Sequence, residues 1–374
     1  MDSYSAHPGR LSPYLQNRRS RDASGRDTAK NLGSSEALEF DFGAAGATAV
    51  AEQPLSVETF RSRPVLITGA AGMVGAHTCA ALTNAGWKVR ALVRSPAKAA
   101  VRLAHLPVEL HVGDIRDDAS LEKAVRGCGS VVHLAAIAIE RGDQTYAAVN
   151  TEGTKRVLAA ASAARVDRFI HMSQNGANAG SPHAFLRSKG VAEAAVRESG
   201  VAYTVLRPSV IFGPEDEFVN VLARLVKLTP LIFPLPDGGR AQFQPIAVRD
   251  VAAAVRVSLE RLGTRGSVYS LGGPVPLTLR EMTERILAAM GARRAIVGIP
   301  AKALRPVLSV TSRLLPNPPV TPELLDLLAL DNTVPDNALA QVFGISPTPF
   351  APEELGYLRT ITASAALSSL FEKR

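Results

Sequence analysis

The stretch at residues 64–75, PVLITGAAGMVG, restricts the possible folds more than any other part of this 374-residue chain. A short β-branched run ends in glycine, and helical spacing begins within a few residues. Such a run reads as a buried strand, which belongs in a parallel sheet. Gly69 permits the tight turn, and Gly72 lets backbone N–H groups approach a pyrophosphate. Gly75 allows close helix-to-strand packing, with the phosphates at the helix N-terminus. The spacing therefore predicts a dinucleotide-binding loop formed by Gly69, Ala71, Gly72, Met73, Val74 and Gly75. A tight turn with a purely structural role is the alternative.

Beyond the loop, WKVRALVR, VELHVGDI, SVVHLAA, RFIHMS and AYTVLRPSVIFG read as strands. MVGAHTCAALTNAG, SLEKAVRGC, NTEGTKRVLAAASAARV and SKGVAEAAVRESG read as helices. Strand and helix alternate over short connections. That pattern predicts an α/β fold, a Rossmann-type doubly wound parallel sheet with a smaller C-terminal lobe. Three parts are expected: a polar extension over residues 1–60, a nucleotide-binding domain over 61–270, and a lobe over 271–374 with a segment for a partner or membrane. The extension mixes both signs of charge and reads as a disordered tail. Its Arg and Ser content also fits a mitochondrial presequence, against which Asp2, Asp22 and Asp27 count.

Apolar residues make up 46% of the chain and charged residues 20%, enough to bury a sizeable core. The net charge of +8 favours acidic partners: phosphates, anionic lipid or nucleic acid. Nucleic acid is not expected, because the basic residues are scattered and one Trp and six Tyr give no stacking platform. Cys79 and Cys128 belong to no CxxC or His-rich cluster. They suggest a reducing compartment and no metal site. No apolar run approaches the ~18 residues of a membrane span.

The end of the second strand bears on which nucleotide is bound. It reads Val93-Arg94-Ser95, with no carboxylate to hold a ribose hydroxyl. Arg94 can pair a 2′-phosphate, so NADP(H) is expected over NAD(H), with a solvated surface charge as the alternative. Asp114, followed by Ile115, is placed to accept from an adenine amino group or to cap a helix. Leu134, Ala135 and Ala136 end the fourth strand and let a cofactor lie close to the backbone. His133 before them reads as a packed strand histidine.

Jointly, the glycine spacing, GDI, HLAA, VNTEGTKRVLAAA, FIHMS and RPSVIFGP resemble the extended and atypical short-chain dehydrogenase/reductases over about residues 64–260. RPSVIFGPEDEFVN, FPLPDGGRAQFQPIAVRDVA and LLALDNTVP are similar to the dinucleotide-binding accessory subunit of respiratory complex I and its bacterial relatives. That extends the likeness to about residue 350. The resemblance implies a Tyr as general acid/base, a Lys four residues on that lowers its pKa and holds the ribose, and a Ser that orients the substrate. Lys189 and Ser173 match. The Tyr position holds Phe185, which has no proton to give. Tyr146 and Tyr203 lack a Lys at the required spacing. His183 is either a substitute proton donor or loop surface. Pro208, with Val210 and Phe212, lines the nicotinamide end or belongs to a core strand.

Arg240 and Arg249 read as an anion site or as partners of Asp237 and Asp250. The segment IPAKALRPVLSVTSRLLPNPPV carries Lys302, Arg305 and Arg313 and no acid. It suits either an anionic membrane or membrane-protein partner, or core packing. The expected function is an NADP(H)-binding accessory or assembly protein of complex I-type machinery, without ordinary reductase turnover. The alternative is an active oxidoreductase or epimerase on a quinone-related, isoprenoid or sugar substrate; a nucleotide-dependent redox sensor fits the same residues. The expected location is the bacterial cytoplasm, peripheral to the inner membrane, or the matrix side of the mitochondrial inner membrane.

Overall fold

A computed structural model describes residues 61–371. The tail and presequence readings concern residues 1–60 and lie outside the described residues.

Seven strands form one parallel sheet: β1 (Val65–Thr68), β2 (Val89–Val93), β3 (Val108–Val112), β4 (Ser130–His133), β5 (Arg168–Met172), β6 (Tyr203–Pro208) and β11 (Ser267–Leu271). Their order is β11-β6-β5-β4-β1-β2-β3. The chain runs outward from β1 to β3, then returns to β4 on the other side of β1. That reversal opens a crevice at the carboxyl ends of β1 and β4, where ligands of open α/β sheets bind.

Alternation along the strands explains the two cores. Val65, Ile67, Val132 and Ile170 face one side, against Cys79 and Leu82 of helix α1 (Met73–Asn84) and Val251 and Val255 farther along the chain. Leu66, Val131, Phe169 and Val205 face the other. There the sheet meets Leu121, Val157 and Val196. These come from α3 (Asp118–Val125), α4 (Gly153–Ala163) and α5 (Ala184–Glu198), after the short α2 (Pro96–Arg102).

A π-helical turn, Tyr146–Glu152, precedes α4, where the sequence reads as one continuous helix. The cause is local. The Asn150 side chain accepts from Ile137 N at 2.8 Å and donates to Ile137 O at 3.0 Å, which ties this turn to the loop after β4.

The chain after β6 adds β7 (Ile211–Phe212), α6 (Val219–Leu228), β8 (Ile232–Pro236), β9 (Gln242–Phe243), β10 (Ile246–Ala247) and α7 (Val248–Glu260). Beyond β11 come β12 (Leu277–Thr278), α8 (Leu279–Ala289), β13 (Ala295–Ile299), α9 (Ala301–Leu314) and α10 (Pro322–Leu328). Phe212, Phe233, Phe243, Met282 and Phe350 form a third core. Around residue 332 the chain is laced to the exit of β6. Asn332 O accepts from Ser209 Oγ and Gln244 N, while Asn175 Nδ2 donates to Asn332 Oδ1 and Thr333 O.

Helix α9 buries none of its residues and exposes Val307, Val310 and Leu314. Leu304 and Leu308 of the same helix are half-buried. No helix among the described residues is long and apolar enough to cross a membrane.

Candidate functional site

The glycine loop is built as its spacing requires. Gly69 has φ +70°, and a Cβ there would stand 2.8 Å from Ala135 N. The turn is thus pressed against the chain leaving β4. A Cβ on Gly75 would fall 2.1 Å from Gly69 O, so α1 can approach the turn only without a side chain. Gly72 occupies the N-cap in extended conformation with no side-chain cap. The N–H groups of the first turn, at Met73 and Val74, are therefore open to an anion, which fits a pyrophosphate.

At the other end of the crevice Arg94 is exposed, but it is not simply solvated: Nη1 donates to Gln144 Oε1 at 2.8 Å. Asp114 accepts from Arg116 N at 2.9 Å and from the Arg116 guanidinium, which also bridges to Asp143 at 2.8 Å. Burial pulls the Asp114 carboxyl upward, but the Arg116 hydrogen bonds outweigh it and hold it below the ordinary value. The helix-cap reading of Asp114 is incorrect: Asp117 caps α3, accepting from Ala119 N at 3.1 Å. The helix begins at Asp118, two residues before the SLEKAVRGC stretch read from the sequence. Ile115 is buried against Gly153, where a Cβ would come within 2.6 Å of it. Leu134 N donates to Thr68 O, and Ala135 N to Thr68 Oγ1.

Thr68, His133 and His171 stand in register across β1, β4 and β5. Thr154 Oγ1 donates to Asn150 O, so it accepts from His133 Nε2 at 2.9 Å; Thr68 Oγ1 donates to Nδ1 at 2.7 Å. That network fixes one neutral tautomer. Burial, then the nearby Lys189, push the His133 pKa down to about 3. His133 is a packed strand residue. His171 stacks on it at 5.5 Å with neither ring nitrogen hydrogen-bonded, and burial holds its pKa well below the ordinary value.

Both histidines stay neutral when folded, whereas the unfolded chain binds protons below pH ~6.5. Stability is fully present above that pH and declines as pH falls, by about 1.4 kcal/mol per pH unit for each histidine. His171→Leu should remove one histidine's share of this slope. It should also stabilise the protein at pH 7 by roughly 1–3 kcal/mol, since no hydrogen bond is lost. Urea unfolding at pH 7 and pH 5 checks both, and an unchanged acid slope would refute the assignment.

The positions expected to carry reductase chemistry are turned to other partners. Phe185 lies in the first turn of α5, and the Tyr146 ring packs on it at 5.8 Å. The Tyr146 hydroxyl donates to Ala138 O at 2.8 Å. Its pKa is pushed up to about 12 by burial and by Glu140 and Glu323. Lys189 is buried and donates to Met172 O at 2.6 Å. Burial lowers it to about 8, against the pull of Glu193. Ser173 Oγ donates to Glu193 Oε2 at 2.7 Å, and Arg207 grips both oxygens of the same carboxylate. His183 is half-exposed and supplies the N-cap position of α5 without a side-chain cap.

Residues 69–226 match the NAD(P)H-binding family model. A 4-hydroxy-2-methyl-3-oxo-4-farnesyl-3,4-dihydroquinoline-1-oxide ketoreductase from Stigmatella aurantiaca is 30% identical over 64% of this chain and 77% of its own. The chain belongs to the atypical short-chain dehydrogenase/reductases. A second relative is the mitochondrial NADH-ubiquinone oxidoreductase 40 kDa subunit of Neurospora crassa, 26% identical over 80% of each chain. An NADPH-dependent quinone oxidoreductase from Escherichia coli, solved with NADPH, shares the fold, with a TM-score of 0.64 and 24% identity over 79% of this chain and 99% of that one. The protein is thus an NAD(P)-binding protein related both to complex I accessory subunits and to reductases.

Pro208 closes β6, its carbonyl accepting from Asn175 N at 3.0 Å. Phe212 is a core residue, 5.0 Å edge-on to Phe350, and Val210 packs partly buried on the same cluster. Arg249 pairs with Glu354 rather than Asp250, and Asp250 accepts from Thr348 N. Asp237 accepts from Ala301 N at the start of α9. A cavity of about 410 Å³ lies between the loop after β4 and the chain around α9, lined among others by Ile139, Glu140, Arg141, Arg313 and Glu323. Sequence reasoning missed Glu193, Arg207 and Gln144. The one available signal was Glu193, one helical turn after Lys189.

Proposed function

We propose that this protein holds NADP(H) as an accessory or assembly protein of complex I-type respiratory machinery and has no ordinary reductase turnover. The observation that carries this is the fate of the proton donors. Phe185 occupies the tyrosine position, and Tyr146, the phenol packed on it, is pinned to a backbone carbonyl with a raised pKa. General acid/base work needs a pKa near the working pH, and Tyr146 has moved away from it. The groups that hold a nucleotide are retained: the open first turn of α1, Arg94 and Lys189, whose remaining N–H groups suit a ribose. When bound, the nucleotide would supply hydride chemistry; these residues bind and orient it.

The complex I part rests on the Neurospora relative, matched over 80% of both chains. Helix α9 adds an exposed stripe of Val307, Val310 and Leu314 beside Lys302 and Arg313, chemistry suited to an anionic membrane surface. This reading puts the protein at the inner membrane, on its cytoplasmic side in a bacterium or its matrix side in a mitochondrion. The alternative, an active oxidoreductase, draws on the ketoreductase relative and the cavity beside the Tyr146 loop.

Native mass spectrometry of protein released gently from its own membranes should find NADP(H) and membrane subunits together. Purified protein should reduce no member of a broad carbonyl panel, since no proton donor stands at the Tyr position. Wild-type turnover that collapses in Tyr146→Phe or His183→Ala would overturn the proposal.

A further inference from the structure

We infer that Gln144, in the loop after β4, positions Arg94 and shares its recognition of the nucleotide's 2′-phosphate. The inference rests on the NADP(H) reading above and deepens it. A guanidinium only donates hydrogen bonds, so the Gln144 amide must turn its oxygen toward Arg94, as the 2.8 Å contact shows. The same constraint leaves the Gln144 NH2 group as a donor, like the remaining Arg94 N–H groups. The pair therefore presents donors only, which suits a phosphate dianion whose oxygens only accept.

Gln144 is also held firmly where it stands. Gln144 and Arg141 exchange both backbone hydrogen bonds at 3.0 Å, closing a tight turn. Arg141 Nη2 anchors that turn to Asn317 Oδ1 at 2.8 Å, and Asp143 is held by Arg116. Arg116 in turn is bound to Asp114, so the turn is fastened to the ends of both β2 and β3. An exposed arginine alone loses much of its value to side-chain entropy and salt screening. Fixing one of its nitrogens in advance reduces that loss. Selection at the 2′ position therefore depends on a residue 50 positions beyond Arg94, outside the strand–turn–helix unit that carries the glycines.

The test measures dissociation constants of the full chain for NADPH and NADH, and for adenosine 2′,5′-bisphosphate against AMP. The second pair isolates the adenosine end. In Gln144→Glu a carboxylate replaces the NH2 donor and repels the phosphate. NADPH and the bisphosphate should weaken about tenfold or more, with NADH and AMP within about twofold. Gln144→Ala should weaken the same two ligands about threefold. If Arg94→Ala costs selectivity while neither Gln144 variant does, the role of Gln144 is refuted and that of Arg94 stands. If Arg94→Ala leaves the NADPH-to-NADH ratio unchanged, the cofactor reading itself fails. Equal weakening of all four ligands would mean that Gln144 shapes the cleft as a whole, and would also overturn the inference.

Discussion

Gly75→Ala should abolish nucleotide retention, weakening binding more than about 100-fold, and should cost about 3 kcal/mol of stability. The added methyl would lie 2.1 Å from Gly69 O and 2.7 Å from the Ala70 backbone. Backbone atoms cannot rotate aside as a side chain can. Relief requires the turn to open or α1 to move, and Gly69 is itself pressed against Ala135. Either movement displaces the N–H groups that would meet the phosphates. Gly72→Ala is the internal comparison, since its Cβ would stand 3.1 Å from Gly69 O and a shift of a few tenths of an ångström accommodates it. NADPH titration and thermal unfolding of both variants measure the contrast. A Gly75→Ala protein with wild-type affinity and melting temperature would refute the close-packing account.

Glu193→Ala is the second large effect, expected to cost about 3–5 kcal/mol at pH 7. Glu193 is 2% exposed and holds Arg207 through two hydrogen bonds and Ser173 through a third. It also favours the buried ammonium of Lys189. Without it, the buried Lys189 ammonium loses its nearby carboxylate and the half-buried Arg207 loses its partner. Lys189 has a folded pKa of about 8 against an ordinary 10.5, so the unfolded chain binds more protons between those values and stability rises with pH across that window. Removing Glu193 lowers the folded value further. The deficit should therefore be largest at neutral pH and shrink as pH rises through 8 and Lys189 becomes neutral in both proteins. Urea unfolding at pH 7 and pH 9 shows the trend. A deficit under about 1 kcal/mol at pH 7 would mean that water compensates these charges.

Local chemistry was legible in the sequence where it is repeated or sterically forced. A β1 apolar but for its last residue, Thr68, announces burial on both faces, and Gly69 and Gly75 announce contacts that only glycine allows. Features set by distant partners were not legible. Glu193 lies on an unremarkable helical stretch, and only the position of β6 turns it toward Arg207. Gln144 sits in a loop without periodicity, so its meeting with Arg94 depends on how the loop is fastened at Asn317. Asp114 and Asp117 both precede a helix, and the backbone path alone selects the cap. In α9 the amphipathic pattern was visible, but whether its apolar stripe is covered depends on the elements that happen to pack there.

The lacing at residue 332 has a mechanical consequence. Ser209 and Asn175 flank the exit of β6 and both bond to Asn332, while Asn175 N also holds the Pro208 carbonyl. Gln244 extends the same seam to Val334. Force applied to the chain around residue 332 is thus delivered to the carboxyl end of β6, two strands from β4 in the same sheet. The link works as a lever in both directions: whatever grips that segment also grips the exit of β6.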